Sequence, residues 1–285
     1  MKLKKIMKTM MKKFLFFGLF AISLASCSSS APDGQGRVNV KLTDAPFPFS
    51  FATEANVGIS KIELKNDSSG QYITVYESST NDSYNLLDYQ NGKTATVETN
   101  NLPVGTYTMA RVTFNNASVK MNGNTASGNS FFNFSSEAQG SYEETVNPSL
   151  VIEHTGTSNV LIDINVNKTF QFQGNGGIFS AWINELSSIV GCTFRPEFRV
   201  CDLDKTGSIS GNVTVNGTKT ANAIVTVTVG NKEVAANTDA NGNYTIIGVQ
   251  PGTYSVNVTT TDGTSITNKN IVVTGTGKAT CTFKN

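Results

Sequence analysis

Side chains able to do chemistry are sparse in this chain, and their spacing excludes more than it suggests. His154 is the only histidine among 285 residues, so a zinc site built on several imidazoles and a catalytic pair of imidazoles are both excluded. In Glu153-His154-Thr155-Gly156 it reads as a surface turn residue. The chain holds no Gly-x-Ser-x-Gly elbow, phosphate loop or dinucleotide fingerprint. Carboxylates are plentiful, and a glycosidase needs only two. Sequence alone cannot pair them, so no catalytic residue is assigned and a glycan-acting hydrolase stays as the alternative to a non-enzymatic protein.

Oxygen-rich stretches raise calcium, a hard cation that wants clustered oxygens. Asp239-Ala240-Asn241-Gly242-Asn243 resembles the start of a calcium loop, yet its glycine falls at the fourth position where an EF-hand needs it at the sixth. The same letters make a β-hairpin turn, the preferred reading. Asp202 and Asp204 are a second candidate pair, so the metal candidates are Asp202, Asp204, Asp239 and Asn241. Asp44, in Thr43-Asp44-Ala45-Pro46, is expected to cap a turn rather than hold a ligand. Trp182, the only tryptophan, is the one ligand-binding candidate, as a sugar-stacking platform, with burial in a core as the commoner fate of such a residue.

Cysteine supplies a sharper signal. Six lysines, at positions 2, 4, 5, 8, 12 and 13, precede an apolar run from Phe14 to Leu24, and Leu24-Ala25-Ser26-Cys27 follows. A basic stretch, an apolar run too short to span a bilayer, and small residues at the end read as a cleaved export signal over residues 1–26. Leu-Ala-Ser-Cys resembles the bacterial lipobox, which implies acylation of Cys27 and a tether over residues 27–36. Two or three acyl chains hold a protein firmly to a membrane. Ser28 stands where an aspartate would signal inner-membrane retention, so by resemblance the outer membrane is expected. Cys192, Cys201 and Cys281 remain, an odd number. One extended strand from 192 to 201 would part those two sulfurs by about 30 Å, a bend at Pro196 would bring them back within reach, and Cys201 to Cys281 is the rival, so the pairing stays open.

Loss of residues 1–26 removes six lysines and no carboxylate, leaving 16 basic against 21 acidic residues and a net charge of −5. That argues against nucleic acid, whose phosphates demand clustered Lys and Arg.

The elements that must position these residues are strands. Val38, Val40 and Leu42 alternate with polar neighbours, and Val57 to Leu64 alternates with a slip near Ser60 that suggests a bulge. The turn Asn66 to Gly70 leads to Tyr72–Tyr76, and Leu86-Leu87 and Val97 continue the pattern. Leu102-Pro103-Val104-Gly105-Thr106-Tyr107 feeds a strand from Met109 to Val119. Residues 160–166 are nearly all apolar, which predicts a buried strand, and Phe179 to Ile189 carries the spacing of a short amphipathic helix. After Asp204 come Gly207–Val213, the alternating Val225, Val227 and Val229, and a second proline-glycine corner, Pro251-Gly252-Thr253-Tyr254. Each corner predicts a tyrosine whose ring packs while its hydroxyl reaches backbone.

Val40-Lys41-Leu42-Thr43-Asp44-Ala45-Pro46, Tyr84-Asn85-Leu86-Leu87, the corner at 102–107 and Phe194-Arg195-Pro196-Glu197-Phe198-Arg199-Val200 together resemble domain of unknown function 4382, over about residues 37–203. That family is common in Bacteroidetes lipoproteins, so the resemblance implies fold and location but transfers no catalytic residue. Residues from 206 onward resemble the carboxypeptidase regulatory-like, transthyretin-like sandwich, which implies spacing or adhesion. The expectation is an all-β chain of two β-sandwich (Ig-like or transthyretin-like) domains in tandem, 37–204 and 205–285, behind the signal and tether. Its expected role is a non-catalytic binding or adhesion module of the cell envelope, with carbohydrate or an envelope protein as partner and no cofactor beyond the calcium candidate. A structural subunit of an envelope assembly is the further alternative.

Overall fold

In a computed structural model of the chain, residues 34–45, 51–80, 82–134, 138–174, 177–178 and 186–284 are described. The alternation of Val38, Val40 and Leu42 becomes strand β1 (Gln35–Ala45), with all three side chains fully buried. It is followed by β2 (Ala52–Asn66), β3 (Tyr72–Glu77), β4 (Ser83–Asn85), β5 (Ala95–Pro103), β6 (Gly105–Met121), β7 (Phe131–Asn133) and β8 (Gly140–Ile152). Then come β9 (Thr157–Asn165), a single helical turn α1 (Val166–Thr169), β10 (Phe170–Gly174), β11 (Gly177–Ile178), β12 (Ile189–Phe194) and β13 (Phe198–Asp202).

The large sheet runs β3-β2-β6-β8-β13-β9-β1-β5. It curls until its two edges meet, where the Asn100 side chain donates to the Val75 carbonyl at 3.0 Å. β1 is interior, parallel to β9 on one side and antiparallel to β5 on the other. The slip expected near Ser60 is present, since the β2–β6 register jumps between Ile59 and Lys61. A bulge lets the strand keep Ile59 and Ile62 both on the core face.

The small sheet β11-β10-β12 lends Phe170, Phe172 and Phe194 to the same core. There Phe194 meets Phe170, Phe114 and Phe134 at centroid separations of 5.4 to 6.2 Å, in tilted, edge and stacked arrangements. Each such ring contributes roughly 1.5–3 kcal/mol through burial.

A second core forms after the 3₁₀ turn Leu203–Lys205. Its strands are β14 (Gly207–Val215), β15 (Thr218–Lys219), β16 (Ile224–Val229), β17 (Lys232–Asn237), β18 (Asn243–Val249), β19 (Gly252–Thr259), β20 (Ser265–Val273), β21 (Lys278–Thr280) and β22 (Phe283–Lys284). One sheet gathers β15, β18, β21 and β22 around β14, and the other runs β17-β16-β19-β20. Val225 and Val227 of one sheet and Ile209 and Val213 of the other are buried between them. All of residues 31–285 fall in one compact unit.

Both proline-glycine corners act alike. Tyr107 donates its hydroxyl to the Pro103 carbonyl at 2.8 Å and Tyr254 to the Gln250 carbonyl at 2.7 Å, each four residues upstream. Other expectations are corrected. Leu86-Leu87 lies in a 3₁₀ turn, Leu86–Tyr89, because Leu86 turns inward to fill the core under β2 rather than extending a ladder. Residues 179–185 of the expected helix lie outside the described residues, while Leu186–Ser188 is a 3₁₀ turn and Ile189 opens β12, paired with β10. Cys192, Cys201 and Cys281 are all free thiols, so neither of the pairings left open by the sequence is formed.

Candidate functional site

The two cores are joined by polar groups that the chain buries on purpose. β9 sends Val160, Ile162 and Ile164 into the first core and turns Leu161, Asp163 and Asn165 toward the second. On the neighbouring β13, Arg199 lies directly opposite Asp163, and its guanidinium binds that carboxylate through Nε at 2.8 Å and Nη2 at 2.7 Å. The same guanidinium donates to the carbonyls of Gly248 at 2.6 Å and Ile247 at 2.8 Å, at the end of β18. Both side chains are nearly buried, at 11% and 6% exposure. Gly248 adopts φ +69°, and a Cβ there would stand 2.9 Å from Nη2 of Arg199. A side chain at 248 would therefore meet both backbone strain and the arginine.

A bulge in β8 adds to the joint. Register slips between Tyr107 and Met109, so residues 146–149 loop out of the β6 ladder. The freed carbonyls of Asn147 and Ser149 accept from Gln250 Nε2 at 3.0 Å and Lys205 Nζ at 2.7 Å.

Beside this joint opens a groove of about 340 Å³ with a chemically varied wall. β8 supplies Tyr142, Glu143 and Glu144, the segment after β12 supplies Arg195, Pro196 and Glu197, and Lys168, Gln171 and Lys232 complete it. The 195–197 segment is fixed at both ends. Arg195 N–H donates to the Thr169 carbonyl at 2.8 Å, Glu197 N–H to the Thr169 hydroxyl at 3.1 Å, and the Glu197 carbonyl accepts from Asn165 N–H at 2.8 Å.

Each carboxylate in the groove holds a cation. Glu143 pairs with Arg111 at 2.7 Å, Glu144 with Lys232 at 2.9 Å and Glu197 with Lys168 at 3.3 Å. The Arg111 hydrogen bond holds the Glu143 carboxyl below its usual range. Arg195 is exposed, and among the described residues its guanidinium makes no ion pair. The arrangement can therefore grip a polar, anionic group.

The candidates named from sequence lie apart from this groove. Asp202 caps the turn Leu203–Lys205 by accepting from Asp204 N–H at 3.0 Å, and it pairs with Lys205 at 3.3 Å. Burial raises its carboxyl, opposed by Lys205. Asp204 accepts from Asn159 N–H at 2.7 Å. Asp239 accepts from the N–H groups of Asn241 and Asn243, both at 2.8 Å, and the Asn243 bond foremost holds it below its usual range. Among the described residues no three His, Cys, Asp or Glu side chains gather as a metal site. His154 is exposed, its Nδ1 3.2 Å from the Gln35 carbonyl. Trp182 and Cys27 lie outside the described residues.

Asp44 corrects its expectation. It stands within β1 on the core face, 5% exposed, opposite Ile164, and neither carboxylate oxygen has a hydrogen-bond partner. Burial first, and the Asp163 charge second, push its carboxyl well above the usual range. Lys168, Lys232 and Glu144 had no signal in sequence, since exposed charges far apart in the chain look alike until the fold gathers them, and Arg195 stood out only as a member of the Phe194–Val200 stretch. Arg199 had one: a charged residue alternating within an apolar strand, Phe198 to Cys201.

No curated protein matches the sequence. Among solved structures, the Bacillus anthracis TIE protein is 11% identical, with 87% of this chain and 40% of that one covered and a TM-score of 0.24. This chain thus spans about two fifths of that protein's length. BcpA, the major pilin subunit of Bacillus cereus, is 12% identical over 88% of this chain and 70% of its own, with a TM-score of 0.20. The shaft pilin SpaA from Lactobacillus rhamnosus GG is 10% identical over 87% and 98%, also at 0.20. Scores this low carry no argument. The family pattern does: it matches residues 35–179, ending ahead of Phe194–Val200, and takes in β1 to β10 with the Thr43-Asp44 strand end and the first tyrosine corner. Covering just over half of the sequence, that match makes the chain a member of the family described as domain of unknown function DUF4382.

Proposed function

We propose that this chain is a lipid-anchored lipoprotein of the outer membrane, tethered through Cys27, whose two β regions act together as a non-catalytic binding module for envelope or environmental glycan. In this reading residues 37–204 and 205–285 are tandem sandwich domains of Ig-like and transthyretin-like type. The observation that carries the binding role is the charge pattern of the groove. Glu143, Glu144 and Glu197 are each neutralised by a basic side chain while the Arg195 guanidinium is left over. A glycan hydrolase needs one carboxyl kept protonated beside a second that is ionised, whereas each of these three carboxylates faces a basic side chain. Partners are the membrane, through lipid, and a glycan.

Two experiments test it. Cys27→Ala should release the protein from membranes; a variant that still sediments with them after salt and carbonate washes removes the lipid account. The full chain in detergent, offered a polysaccharide panel with product analysis, should bind saturably and leave the sugar intact. Released oligosaccharides would move the protein to the hydrolases, and a panel without any saturable binder would favour an envelope assembly partner.

A further inference from the structure

Resting on that binding role, we infer that the groove beneath β8 selects carboxylate-bearing sugars, through a salt bridge from Arg195 to a uronic acid. Four observations converge there. First, the carboxylates of the wall are all engaged, Glu144 with Lys232 and Glu197 with Lys168 inside the groove and Glu143 with Arg111, which lies outside the lining, so Arg195 is the one cation of the wall that stands outside these pairs. A ligand entering the groove meets a single positive charge without a partner, which complements a single anionic group on each sugar unit. Guanidinium and carboxylate match as two parallel hydrogen bonds, shorter and roughly twice as strong as neutral ones.

Second, Arg195 is anchored at its backbone. Its N–H is held by Thr169, which is itself fully buried, and Pro196 follows with a fixed φ. Its Cα thus stays in place, and the loss of freedom on binding is confined to the side chain.

Third, the rest of the wall suits a polyhydroxylated ligand. The Gln171 amide, the lysine ammonium groups and the remaining carboxylate oxygens offer donors and acceptors, while the flanking Phe198 ring is buried in the core at 4% exposure and offers no deep apolar slot. Tyr142 is half-buried beside the groove. Its ring is set by an edge contact with Phe114 at 5.9 Å and by Gly140, where a Cβ would approach the Tyr142 ring to 3.1 Å.

Fourth, the groove is an open trough, bounded by β8 and the 195–197 segment of one region and by Lys232 of the other. An acidic peptide shares the carboxylate but not the hydroxyl-rich ring, so it serves as the contrast.

The test compares the full chain in detergent with its Arg195→Ala form by calorimetry and affinity electrophoresis. Polygalacturonate and alginate are the probes, against dextran, dextran sulfate and poly-glutamate as contrasts. Arg195 is exposed, so the variant should unfold at the parent's temperature, and Arg195→Lys controls for charge without the planar fork. The expected result is polyuronate binding weakened about tenfold or more by Arg195→Ala and only partly restored by Arg195→Lys, with dextran bound poorly by both. Saturable binding of a neutral glycan that Arg195→Ala leaves unchanged overturns the groove assignment but leaves the glycan-binding role standing. Equal affinity for dextran sulfate or poly-glutamate overturns the sugar specificity. Failure to bind any glycan overturns both.

Discussion

The two regions bury polar groups in opposite ways. Between β1 and β13 the chain takes Asp44, Asp163, Arg199 and Asp202 out of water, along with Asn66 and Asn165. Among the described residues between β14 and β22, the buried polar residues are Ser210, Thr238 and Thr260, all hydroxyl-bearing. A buried hydroxyl needs one nearby carbonyl, which any strand supplies; Thr238 finds Thr220's at 2.7 Å. A buried charge needs a designed partner or it costs several kcal/mol. The second region is thus a brace with a plain interior, whereas the first spends its charges on the joint and on the groove.

Disrupting the joint should have the largest effect. Arg199→Ala strands the Asp163 carboxylate and leaves two carbonyls of β18 without donors, and a loss of about 3–5 kcal/mol is expected, read by urea denaturation under circular dichroism. Arg199→Lys should recover little, because one ammonium cannot span Asp163 and both carbonyls. A loss below 1 kcal/mol would mean the two regions hold together without their buried charges.

Asp44 should behave in the reverse sense. Its carboxyl titrates higher folded than unfolded, so folding takes up a proton. Its stabilising protonated form is complete below the ordinary carboxylate range, and stability falls as pH rises from there toward the raised folded value. Asp44→Asn should accordingly gain about 1–3 kcal/mol at neutral pH, with the gain fading near pH 3.5. Denaturation midpoints at the two pH values check this, and a destabilised variant at pH 7 would reveal a cation partner for the carboxylate.

The smallest effect separates the twin corners. Tyr107→Phe and Tyr254→Phe each remove one hydrogen bond of about 1 kcal/mol. Tyr107 is fully buried and Tyr254 only partly, so water can replace the second bond but not the first. Thermal unfolding of both variants should rank Tyr107→Phe as the more costly, and equal costs would erase the contrast.

How much of this was legible in sequence follows the same divide. Alternation exposed β1, β2, β6 and β16, and even the bulge at Ser60, because period-two burial is a local property. The corners were legible because Gly-Thr-Tyr acts within four residues. Leu86-Leu87 misled, since two adjacent leucines fit a strand or a turn equally until β2 is in place above them. The groove was invisible: Glu144 and Lys232 are 88 positions apart in sequence, and only the packing of β17 against the first region makes them partners. Asp44 looked like a cap because aspartate before Ala-Pro often is one, and burial among core strands overrode that local preference.

The place of β1 has a mechanical consequence. Load applied to the chain ahead of residue 35 enters the fold through Gln35, the first residue of a strand clasped on both flanks by β9 and β5. Pulling along that axis must shear two hydrogen-bonded ladders at once instead of unzipping one bond at a time. A chain pulled at its N-terminal end would therefore resist being drawn out of its own sheet.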